Sequence, residues 1–393
     1  MRDEAVCILQ EPIWAACNLG QTWPQIWSNL VAGTSNLEPA HNHVPRVHGE
    51  IHVGATALAN GSYWERGRRL ARATADVVIG SIRALHGKRA DIRCVILVAT
   101  SHGDPGPSAA CAEATLGFHA DWEQVCPILS DAISAGIRDA AGRFSHVYTV
   151  AAACASGVVA LDLGALMLEF DQADLVYVVA LDALSRVAYT GFKQAGAMTR
   201  NMARPFDIDR DGTMLGEAAV VFAMSLARTA RALRLEPTAV IEASAQQCDA
   251  SHLVEPSATG VMKTISKALE RAGRQPHELA AVYWHGTGTR QNDDAEASAA
   301  QAIFGATVPP GTSTKGALGH CMGASGAINV LAACQSLKDA RIPATAGLRT
   351  AEVGSLSIVH GAPAQIGPGP ILVNSLGFGG INACAIIGSA AGV

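Results

Sequence analysis

The feature that most constrains the fold is the alternation of short apolar runs with longer amphipathic segments. The short runs are rich in β-branched residues, which predicts buried strands. They are "AVCIL", "RCVILVATSH", "HVYTVAAA", "LVYVVALDA", "TAVIEASA", "AAVYWHG" and "ILVNSLGFGG". Between them, "SYWERGRRLARATADVVIGSIRAL" and "SATGVMKTISKALERAG" carry apolar residues at helical spacing with charges on the other face. This alternation predicts an α/β fold.

The length of the chain and one connecting segment indicate two halves. With 393 residues, of which 49% are hydrophobic and 16% charged, the chain can bury a sizeable core. The segment "RALRLEPT", around residues 230–240, closes one series of strands and helices and opens another. We therefore predict two pseudo-duplicated halves, residues 1–235 and 236–393.

Charge and hydropathy narrow the classes of partner and the location. A formal net charge of -5, without a polybasic segment, argues against nucleic acid and membrane surfaces and leaves small molecules or a carrier protein. The N-terminus "MRDEAVCILQEP" is acidic where a signal peptide is basic. No stretch reaches the roughly 18 apolar residues of a membrane span. We expect a cytoplasmic protein without a membrane span.

The cysteines are predicted to be reduced and mostly buried thiols. They lack paired C-x-x-C spacing and lie mainly in apolar segments, which argues against a disulfide framework and against a zinc site. The ten are Cys7, Cys17, Cys94, Cys111, Cys126, Cys154, Cys248, Cys321, Cys334 and Cys384.

One cysteine stands where a predicted strand turns into a predicted helix. In "TVAAACASGVVALD", Cys154 follows the strand and precedes a segment with helical periodicity. Aligned amide dipoles at a helix N-terminus favour a thiolate, so we expect a lowered pKa and a nucleophile. The small neighbours leave room for a substrate and for N–H groups aimed at an oxyanion. A buried structural cysteine is the alternative.

Two Gly-rich segments each place a histidine in a strand-to-helix turn. His285 lies in "AAVYWHGTGTRQNDDAE", and Lys315 and His320 lie in "STKGALGHCMGASGAINVLAAC". A lone histidine at a strand end is more often structural than catalytic. Two of them beside a cysteine in a third such turn predict a site for thioester chemistry.

A fourth Gly-rich segment lies near the C-terminus. "NSLGFGGINACAII" does not fit G-x-G-x-x-G and is followed by a strand-like run instead of a helix, which excludes a dinucleotide site. Its glycines allow close backbone approach, and we expect Phe378 to lie over the reactive cysteine.

At these segments the chain resembles the β-ketoacyl synthases, the condensing enzymes of the thiolase fold. The resemblance is closest to the branch with a Cys-His-His centre that elongates acyl chains on acyl carrier protein. It extends over most of the chain, because "GFKQAGAMT", "RPFDIDRDGTMLGEAA" and "DASHLVEP" also match. "HGTGTRQND" with "STKG" is further similar to condensing enzymes of aryl polyene and other specialised polyketide pathways.

The resemblance implies a fold, partners and a reaction. It implies the thiolase-like, five-layered αβαβα fold, a homodimer or a ketosynthase heterodimer, and substrates carried on the phosphopantetheine of acyl carrier protein. The implied reaction joins an acyl thioester to malonyl carrier protein, gives a 3-oxoacyl product and CO2, and needs neither metal nor redox cofactor. Its place is fatty acid or specialised polyketide biosynthesis.

The family's catalytic residues carry over to positions of this chain. By the resemblance, Cys154 holds the acyl group, and His285 and His320 donate hydrogen bonds to the malonyl thioester as negative charge develops. Lys315 fixes the second histidine, His320, and imidazoles beside an ammonium should be neutral. The backbone N–H groups of Cys154 and Phe378 form the oxyanion hole.

Other matched positions support the site or bind substrate. The resemblance implies a supporting role for Glu296 and Asp293. It implies that Thr287, Thr289, Leu376 and Phe378 contact the pantetheine arm or the substrate.

Three positions depart from the family's pattern. Val254 stands where a threonine is frequent, Trp284 where a small residue is usual, and Leu376 where a phenylalanine is frequent. We expect Trp284 to add bulk behind His285 and Leu376 to loosen a gate beside Phe378, so that the acyl pocket is reshaped.

Two charged or metal-like runs have simpler interpretations. The histidines of "HNHVPRVHGEIH" lack regular ligand spacing and a cysteine partner, which disfavours a metal site. They are His41, His43, His48 and His52. The "RGRR" run, residues 66–69, is predicted to be a solvated helix face, with a landing patch for an acidic carrier protein as a minor hypothesis.

Two further functions stay open beside the condensing enzyme. One is an acyltransferase or non-standard condensing enzyme that passes the acyl group from the cysteine to another nucleophile. The other is a pocket-shaping partner subunit of a ketosynthase heterodimer, which the presence of Cys154 disfavours.

Overall fold

The computed structural model describes residues 2–44, 51–59, 66–86, 92–102, 145–352, 356–391 and 393. The strands are β1 Val6–Ala16, β2 Glu38–Pro39, β3 His52–Val53, β4 Cys94–Ala99, β5 Ser145–Val150, β6 Leu175–Asp182, β7 Ala218–Leu226, β8 Pro237–Cys248, β9 Ala281–Tyr283, β10 Gly311–Thr312, β11 Arg341–Ile342, β12 Ala364–Gln365, β13 Ile371–Gly377 and β14 Ile381–Ser389. The α-helices are α1 Trp23–Val31, α2 Arg66–His86, α3 Ser156–Glu169, α4 Arg186–Gln194, α5 Ala227–Leu233, α6 Ala258–Ala272, α7 Arg290–Phe304, α8 Lys315–Leu318 and α9 Ser325–Asp339.

Ten strands form one sheet in which the same pattern occurs twice. Their order is β5-β4-β6-β7-β1-β8-β14-β13-β9-β10. In the first set, β4 is parallel to β5 and β6, and β7 is antiparallel to β6 and β1. In the second set, β9 is parallel to β10 and β13, and β14 is antiparallel to β13 and β8. The two half-sheets therefore have the same strand order and the same strand directions.

The two half-sheets are joined by their first strands. β1 pairs with β8 in antiparallel register, with Val6 opposite Ile241 and Ile8 opposite Ala239. β8, which opens the second set, begins at Pro237. The division of the chain between residues 235 and 236 stays a prediction.

The hydrophobic cores define five layers. One core joins the facing sides of both half-sheets to α3 and α9, with Leu161 and Leu331 of the helices packed among strand residues such as Val178. A second core lies between α2 and the outer side of the first half-sheet. A third lies between the second half-sheet and α6 with α7. This order of layers is the αβαβα arrangement expected from the resemblance.

The middle layer requires small residues where its two helices meet. A methyl group on Gly157 of α3 would lie 2.8 Å from the Ala327 nitrogen and 2.9 Å from the Gly323 oxygen, both backbone atoms. Because neither contact can be relieved by turning a side chain, the small-residue run after Cys154 lets α3 and α9 approach closely.

Most predicted elements occur in the structure. The apolar runs correspond to β1, β4, β5, β6, β8, β9 and β13. The two amphipathic segments cover α6 and all of α2 except its last residue, His86. β7, buried along its whole length, is absent from the predicted strands. None of the described helices combines the length and apolar character needed to cross a membrane.

The first residue of α2 corrects one prediction. Arg66 is buried and its guanidinium pairs with the buried Glu217 carboxylate, so it does not belong to a solvated face. Glu217 also accepts the N–H groups of Thr56 at 2.9 Å and Leu184 at 3.0 Å. Arg69 is exposed. The side chain of residue 68 lies outside the described part of the chain.

The cysteines follow the expectation of buried thiols. Eight lie in described segments, all with free thiols, and within that set Cys248 is the exposed one. Cys111 and Cys126 lie outside the described residues.

Candidate active site

The predicted site residues meet at one cavity of about 230 Å³. Its wall includes Cys154, His285 and His320, which come from three separate strand-to-helix turns. The predicted substrate-binding residues that border it are Thr287, Thr289, Leu376 and Phe378. Lys315, Glu296 and Asp293 are buried behind this wall.

The Cys154 turn is held by hydrogen bonds from its neighbours. Ala153 has a φ of +48°, an unusual conformation that turns the chain between β5 and α3. The Ser156 hydroxyl accepts the Ala152 N–H at 2.8 Å and donates to the Thr100 carbonyl at 2.9 Å. The Ser375 hydroxyl donates to the Cys154 carbonyl at 3.2 Å. The thiol thus lies just before the first turn of α3, as predicted.

The electrostatics of this thiol differ from the prediction. Burial raises the pKa of Cys154 to about 12, and the nearby Lys315 ammonium acts in the opposite direction. A helix N-terminus favours a nearby anion by only about 0.3–1 kcal/mol, so its dipole does not offset burial. The expectation of a lowered pKa for Cys154 is therefore wrong.

A buried lysine holds His285, and not His320 as the resemblance implied. The Lys315 Nζ lies 3.3 Å from the His285 Nδ1 and also donates to the His285 carbonyl oxygen. Burial and the positive charge of Lys315 lower the pKa of His285 well below its usual value. Burial also lowers the pKa of Lys315 itself. The imidazole is therefore neutral near pH 7.

His320 faces His285 across the cavity wall. The two imidazole rings have centroids 5.3 Å apart and planes at 84°. The His320 Nδ1 lies 3.1 Å from the Ser325 hydroxyl oxygen. Burial, followed by the charge of Lys315, lowers the pKa of His320 well below its usual value. Both histidines thus present uncharged rings.

Glu296 shapes the loop that carries His285. Its carboxylate is fully buried and accepts the backbone N–H groups of His285 and Gly286, each at 2.7 Å. It also accepts the side-chain amides of Asn292 at 3.0 Å and Asn374 at 2.7 Å. Burial raises the pKa of this carboxyl, while these four donors favour its ionised form.

Asp293 holds the following part of the same loop. It accepts the N–H groups of Phe206 at 2.7 Å, Thr287 at 3.1 Å and Gly288 at 3.2 Å. Burial raises the pKa of Asp293 to about 6. The glycine at 288 is needed, because its φ is +83°.

The two threonines of this loop bond to each other. The hydroxyl oxygens of Thr287 and Thr289 are 2.9 Å apart, and that of Thr289 accepts the Asn292 N–H at the start of α7. Both side chains border the cavity.

An aromatic residue that was not singled out from the sequence completes the wall. The Phe192 ring lies 5.2 Å from that of Phe378 and 5.6 Å, edge-on, from that of His320. Phe192 belongs to the quoted segment "GFKQAGAMT", so the signal was present without an assigned role.

The three departures from the family's pattern have different outcomes. Val254 and Leu376 border the cavity. Trp284 does not, because strand alternation turns its side chain into the outer core, where it packs with Val282 on the side of β9 opposite Tyr283. The expected bulk behind His285 is therefore absent from the cavity wall.

The histidine run forms no metal site in the part of the chain that is described. His43 pairs with Glu38 at 2.7 Å, and His41 and His52 border a different surface cleft. His48 lies outside the described residues. Across the described segments, no cluster of three histidine, cysteine or carboxylate residues is arranged to hold a metal ion.

Comparison with known sequences gives consistent results for both halves. The N-terminal domain of beta-ketoacyl synthases matches residues 80–230, and their C-terminal domain matches residues 238–349. The tetracenomycin polyketide synthase ketoacyl synthase alpha subunit of Streptomyces glaucescens is 30% identical over 259 residues, 63% of this chain and 61% of that protein. The 3-oxoacyl-[acyl-carrier-protein] synthase 2 of Mycobacterium bovis is 31% identical over 253 residues, 62% and 61% of the two chains. The matched part thus spans about three fifths of these relatives.

Solved structures share the fold over nearly the whole chain. The ishigamide ketosynthase/chain length factor has a TM-score of 0.88 with 25% identity and covers 99% of this chain and 100% of its own. A type II acyl-carrier protein in complex with its ketosynthase bound to the hexaketide gives 0.86 with 20% identity and coverages of 99% and 100%. A ketosynthase with its chain length factor from Xenorhabdus doucetiae gives 0.82 with 23% identity and 98% of each chain. The chain belongs to the beta-ketoacyl synthase family.

Proposed function

We propose that the protein is a decarboxylating condensing enzyme. It joins an acyl group held on Cys154 to malonyl-[acyl carrier protein] and gives 3-oxoacyl-[acyl carrier protein], CO2 and free carrier. The observation that carries this proposal is the convergence of Cys154, His285 and His320 on one cavity, with Lys315 against His285.

The first step transfers the acyl group to the protein. The Cys154 sulfur attacks the carbonyl of the acyl thioester, the pantetheine sulfur leaves, and the proton lost by Cys154 ends on the released thiol. The N–H groups of Cys154 and Phe378 stabilise the tetrahedral oxyanion. In support, a methyl group on Gly377 would lie 2.9 Å from the Ala152 carbonyl oxygen, so the Phe378 loop approaches the Cys154 turn closely.

The second step loses CO2 from the malonyl group. The electron pair of the breaking carbon–carbon bond moves into the thioester and leaves an enolate, whose oxygen needs hydrogen-bond donors. The Nδ1 of His285 faces the Lys315 ammonium, which can only donate, so the proton of that ring is on Nε2. For His320 the mechanism requires the same tautomer, with the Ser325 hydroxyl donating to Nδ1. Two neutral rings donate without releasing a proton, as this step requires.

The third step forms the new carbon–carbon bond. The enolate carbon attacks the carbonyl of the acyl-enzyme, the oxyanion hole serves a second time, and the Cys154 sulfur leaves as a thiolate. Lys315 opposes the effect of burial on that thiolate.

The remaining residues hold the reacting groups in place. Glu296 and Asp293 fix the loop of His285 by the hydrogen bonds described above. Thr287, Thr289 and Leu376, together with Phe378, contact the pantetheine arm or the acyl chain. The reaction needs no metal or redox cofactor, because the thioester itself supplies the electron sink.

The proposed function also implies where the protein acts and with which partners it assembles. A reducing, cytoplasmic compartment agrees with eight unpaired cysteines in the described segments. The protein works with acyl carrier protein, as a homodimer or with a second ketosynthase-like subunit.

A specific observation favours a heterodimer as the second candidate. Two of the similar structures are ketosynthases with a chain length factor, and one of those pairs has the highest TM-score given above. A subunit that only shapes a pocket does not need a nucleophile, so Cys154 and both histidines favour the catalytic role. An acyltransferase that carries out no condensation forms no enolate, so it does not need two hydrogen-bond donors to an enolate oxygen. The two histidines therefore disfavour this alternative.

Intact-protein mass spectrometry tests the nucleophile. Wild type, Cys154→Ala and the matched control Cys248→Ala, at an exposed thiol, are mixed with a panel of acyl carrier thioesters. We expect wild type and Cys248→Ala to gain one acyl mass and Cys154→Ala to gain none. Loading of Cys154→Ala, or of no protein by any donor, would contradict the proposal.

A second measurement separates condensation from plain transfer. With malonyl carrier protein, His320→Ala should release CO2 about 100- to 1000-fold more slowly than wild type, the usual cost of losing one donor to an oxyanion. Equal rates would exclude His320 from the decarboxylation step.

A further inference from the structure

A buried carboxylate that the proposed reaction does not use contacts the chain just after His320. Asp182 is the last residue of β6 and is fully buried. Its Oδ2 accepts two backbone N–H groups, from Ser101 at 2.9 Å and from Gly323 at 2.7 Å. The first belongs to the end of β4 and the second to the turn that follows His320. Asp182 therefore ties these two segments together.

The other oxygen of Asp182 faces the end of β4. Oδ1 accepts the Thr100 hydroxyl at 2.6 Å and lies 3.3 Å from the His102 Nδ1. A carboxylate in the interior is costly unless hydrogen bonds satisfy it, and these contacts fix its orientation. The oxygen that holds Gly323 is thus kept at one place.

The turn after His320 is seated directly on this carboxylate. Met322 has a φ of +47°, an unusual conformation for a residue with a side chain, which surrounding contacts must maintain. A methyl group on Gly323 would lie 2.8 Å from the Asp182 Oδ2 and 2.8 Å from the Ser101 nitrogen. The turn therefore needs glycine at this position to reach Asp182.

The same turn delivers the hydrogen-bond partner of the His320 ring. Ser325 follows Gly323 by two residues, and its hydroxyl oxygen lies 3.1 Å from the His320 Nδ1. The backbone of His320 is anchored separately, because its N–H donates to the Met214 carbonyl and its carbonyl accepts the Gly216 N–H at 3.0 Å. Loss of the contact beneath the turn would leave this backbone in place and displace the hydroxyl.

We propose that Asp182 is a positioning residue for decarboxylation, which holds the Ser325 hydroxyl against the Nδ1 of His320. The inference rests on the proposed function, in which the Nε2–H of His320 donates to the enolate oxygen. A hydroxyl that donates to Nδ1 keeps the ring proton on Nε2. When the hydroxyl is displaced, the tautomer with the proton on Nδ1 becomes populated, and its Nε2 cannot donate.

The turn of the nucleophile has anchors of its own. The hydrogen bonds of Ser156 and Ser375 hold the backbone around Cys154. Its connection to Asp182 runs through the backbone of Thr100, whose N–H pairs with a carbonyl of β5 at 3.1 Å. We therefore expect loss of the carboxylate to slow decarboxylation and to spare acylation.

Two half-reactions measured on one variant test the inference. Acylation of Cys154 is timed by intact-protein mass spectrometry, and CO2 release by the acyl-enzyme is measured over a range of malonyl carrier concentrations. We expect Asp182→Ala to lower kcat for CO2 release about 10- to 100-fold, with an unchanged KM and an acylation rate within about threefold of wild type. Equal slowing of both half-reactions would overturn the inference, because it indicates a general loss of structure.

The conservative variant Asp182→Asn separates hydrogen bonding from charge. Its amide oxygen can accept the same two backbone N–H groups, and its NH2 group can donate to the Thr100 hydroxyl oxygen. We expect it to restore CO2 release to within about threefold of wild type. An asparagine variant as slow as Asp182→Ala would overturn the positioning role.

Asp162→Ala is the matched control for the loss of a buried carboxylate. Asp162 accepts the Ser244 hydroxyl at 2.6 Å and the Gln246 amide at 2.8 Å, and it lies outside the described lining of the cavity. We expect a lower urea midpoint, as for Asp182→Ala, without a difference between the two half-reactions. The same selective loss of CO2 release in this control would overturn the inference.

Ser325→Ala tests the inference even if Asp182→Ala does not fold. Because the hydroxyl of Ser325 acts on His320, its removal alone should slow CO2 release about 10- to 100-fold and spare acylation. In the double variant the two losses should not multiply, because Asp182 acts through Ser325. Unchanged CO2 release in Ser325→Ala, or multiplied losses in the double variant, would overturn the inference.

The wild-type reaction distinguishes this inference from the proposed function. If acylated wild type releases no CO2 from malonyl carrier protein, the proposed function is wrong and the inference falls with it. If wild type releases CO2 and both Asp182→Ala and Ser325→Ala release it equally fast, the proposed function stands and the inference is wrong.

Discussion

Replacing Glu296 with glutamine tests whether this carboxylate organises the active-site loop. Each of its oxygens accepts two hydrogen bonds, one from a backbone N–H and one from an asparagine amide. In either orientation, a glutamine amide would place its NH2 group against two of these donors. Glu296→Gln therefore leaves two buried donors unpaired while it preserves the volume and shape of the side chain.

The expected loss follows from the cost of unpaired buried donors. Each costs about 1–3 kcal/mol, so two give about 2–6 kcal/mol in the free energy of unfolding. The Asn374 Oδ1 is buried without a partner, so rotation of that amide can pair it with the new NH2 group. The backbone N–H beside it cannot rotate, which sets a lower limit of about 1–3 kcal/mol.

Glu242→Gln is the matched control. Glu242 also accepts two N–H groups, from Arg274 at 2.8 Å each, but its side chain is 18% exposed and water can replace the partner. An ion pair of this kind contributes about 0.2–1 kcal/mol. Urea denaturation at fixed protein concentration should show Glu296→Gln as less stable than Glu242→Gln by about 1.4 kcal/mol, the difference between the middle values of the two ranges. Equal stabilities would refute the role assigned to Glu296.

Three further predictions concern the site and its packing. Because burial raises the pKa of Cys154, its alkylation by iodoacetamide should slow about tenfold for each pH unit below about 9, and a rate already constant above about pH 7 would contradict this. Because the pKa values of His285 and His320 are lowered, CO2 release corrected for thiol effects should be flat between about pH 6 and 8 in stopped-flow assays, and a loss on falling through about 6.5 would refute it. Gly316→Ala should lower the free energy of unfolding by about 1–3 kcal/mol, because its methyl group would overlap a backbone carbonyl. The methyl group of Gly80→Ala on α2 meets nothing within 4 Å, so this variant should raise the free energy of unfolding by about 0.5–1 kcal/mol. Equal denaturation midpoints of the two variants would refute the packing argument.

The sequence predicted the parts of the site that depend on local chain order. Cys154, His285 and Lys315 each lie at a strand-to-helix turn, where pattern and residue type together indicate a position. Their convergence follows from the repeated strand order, which places the corresponding turns of the two halves around one middle layer.

The wrong predictions concern the surroundings of a side chain in the folded protein. Trp284 adjoins His285 in sequence yet faces the opposite side of β9. Arg66 belongs to a basic run, but a carboxylate 151 residues away buries it. The pKa of the Cys154 thiol is determined by burial more than by its position at the N-terminus of α3. These surroundings are formed by tertiary packing, so they cannot be predicted from the neighbouring positions in the sequence.

A single-turnover reaction tests the central claim most directly. Wild type preloaded with an acyl group on Cys154 is mixed with malonyl carrier protein, and the masses of both proteins are followed together with released CO2. The mechanism predicts loss of the acyl mass from the protein, formation of 3-oxoacyl carrier protein, and one CO2 for each acyl group lost. Transfer of the acyl group without CO2, or CO2 release while the acyl group stays on Cys154, would contradict it.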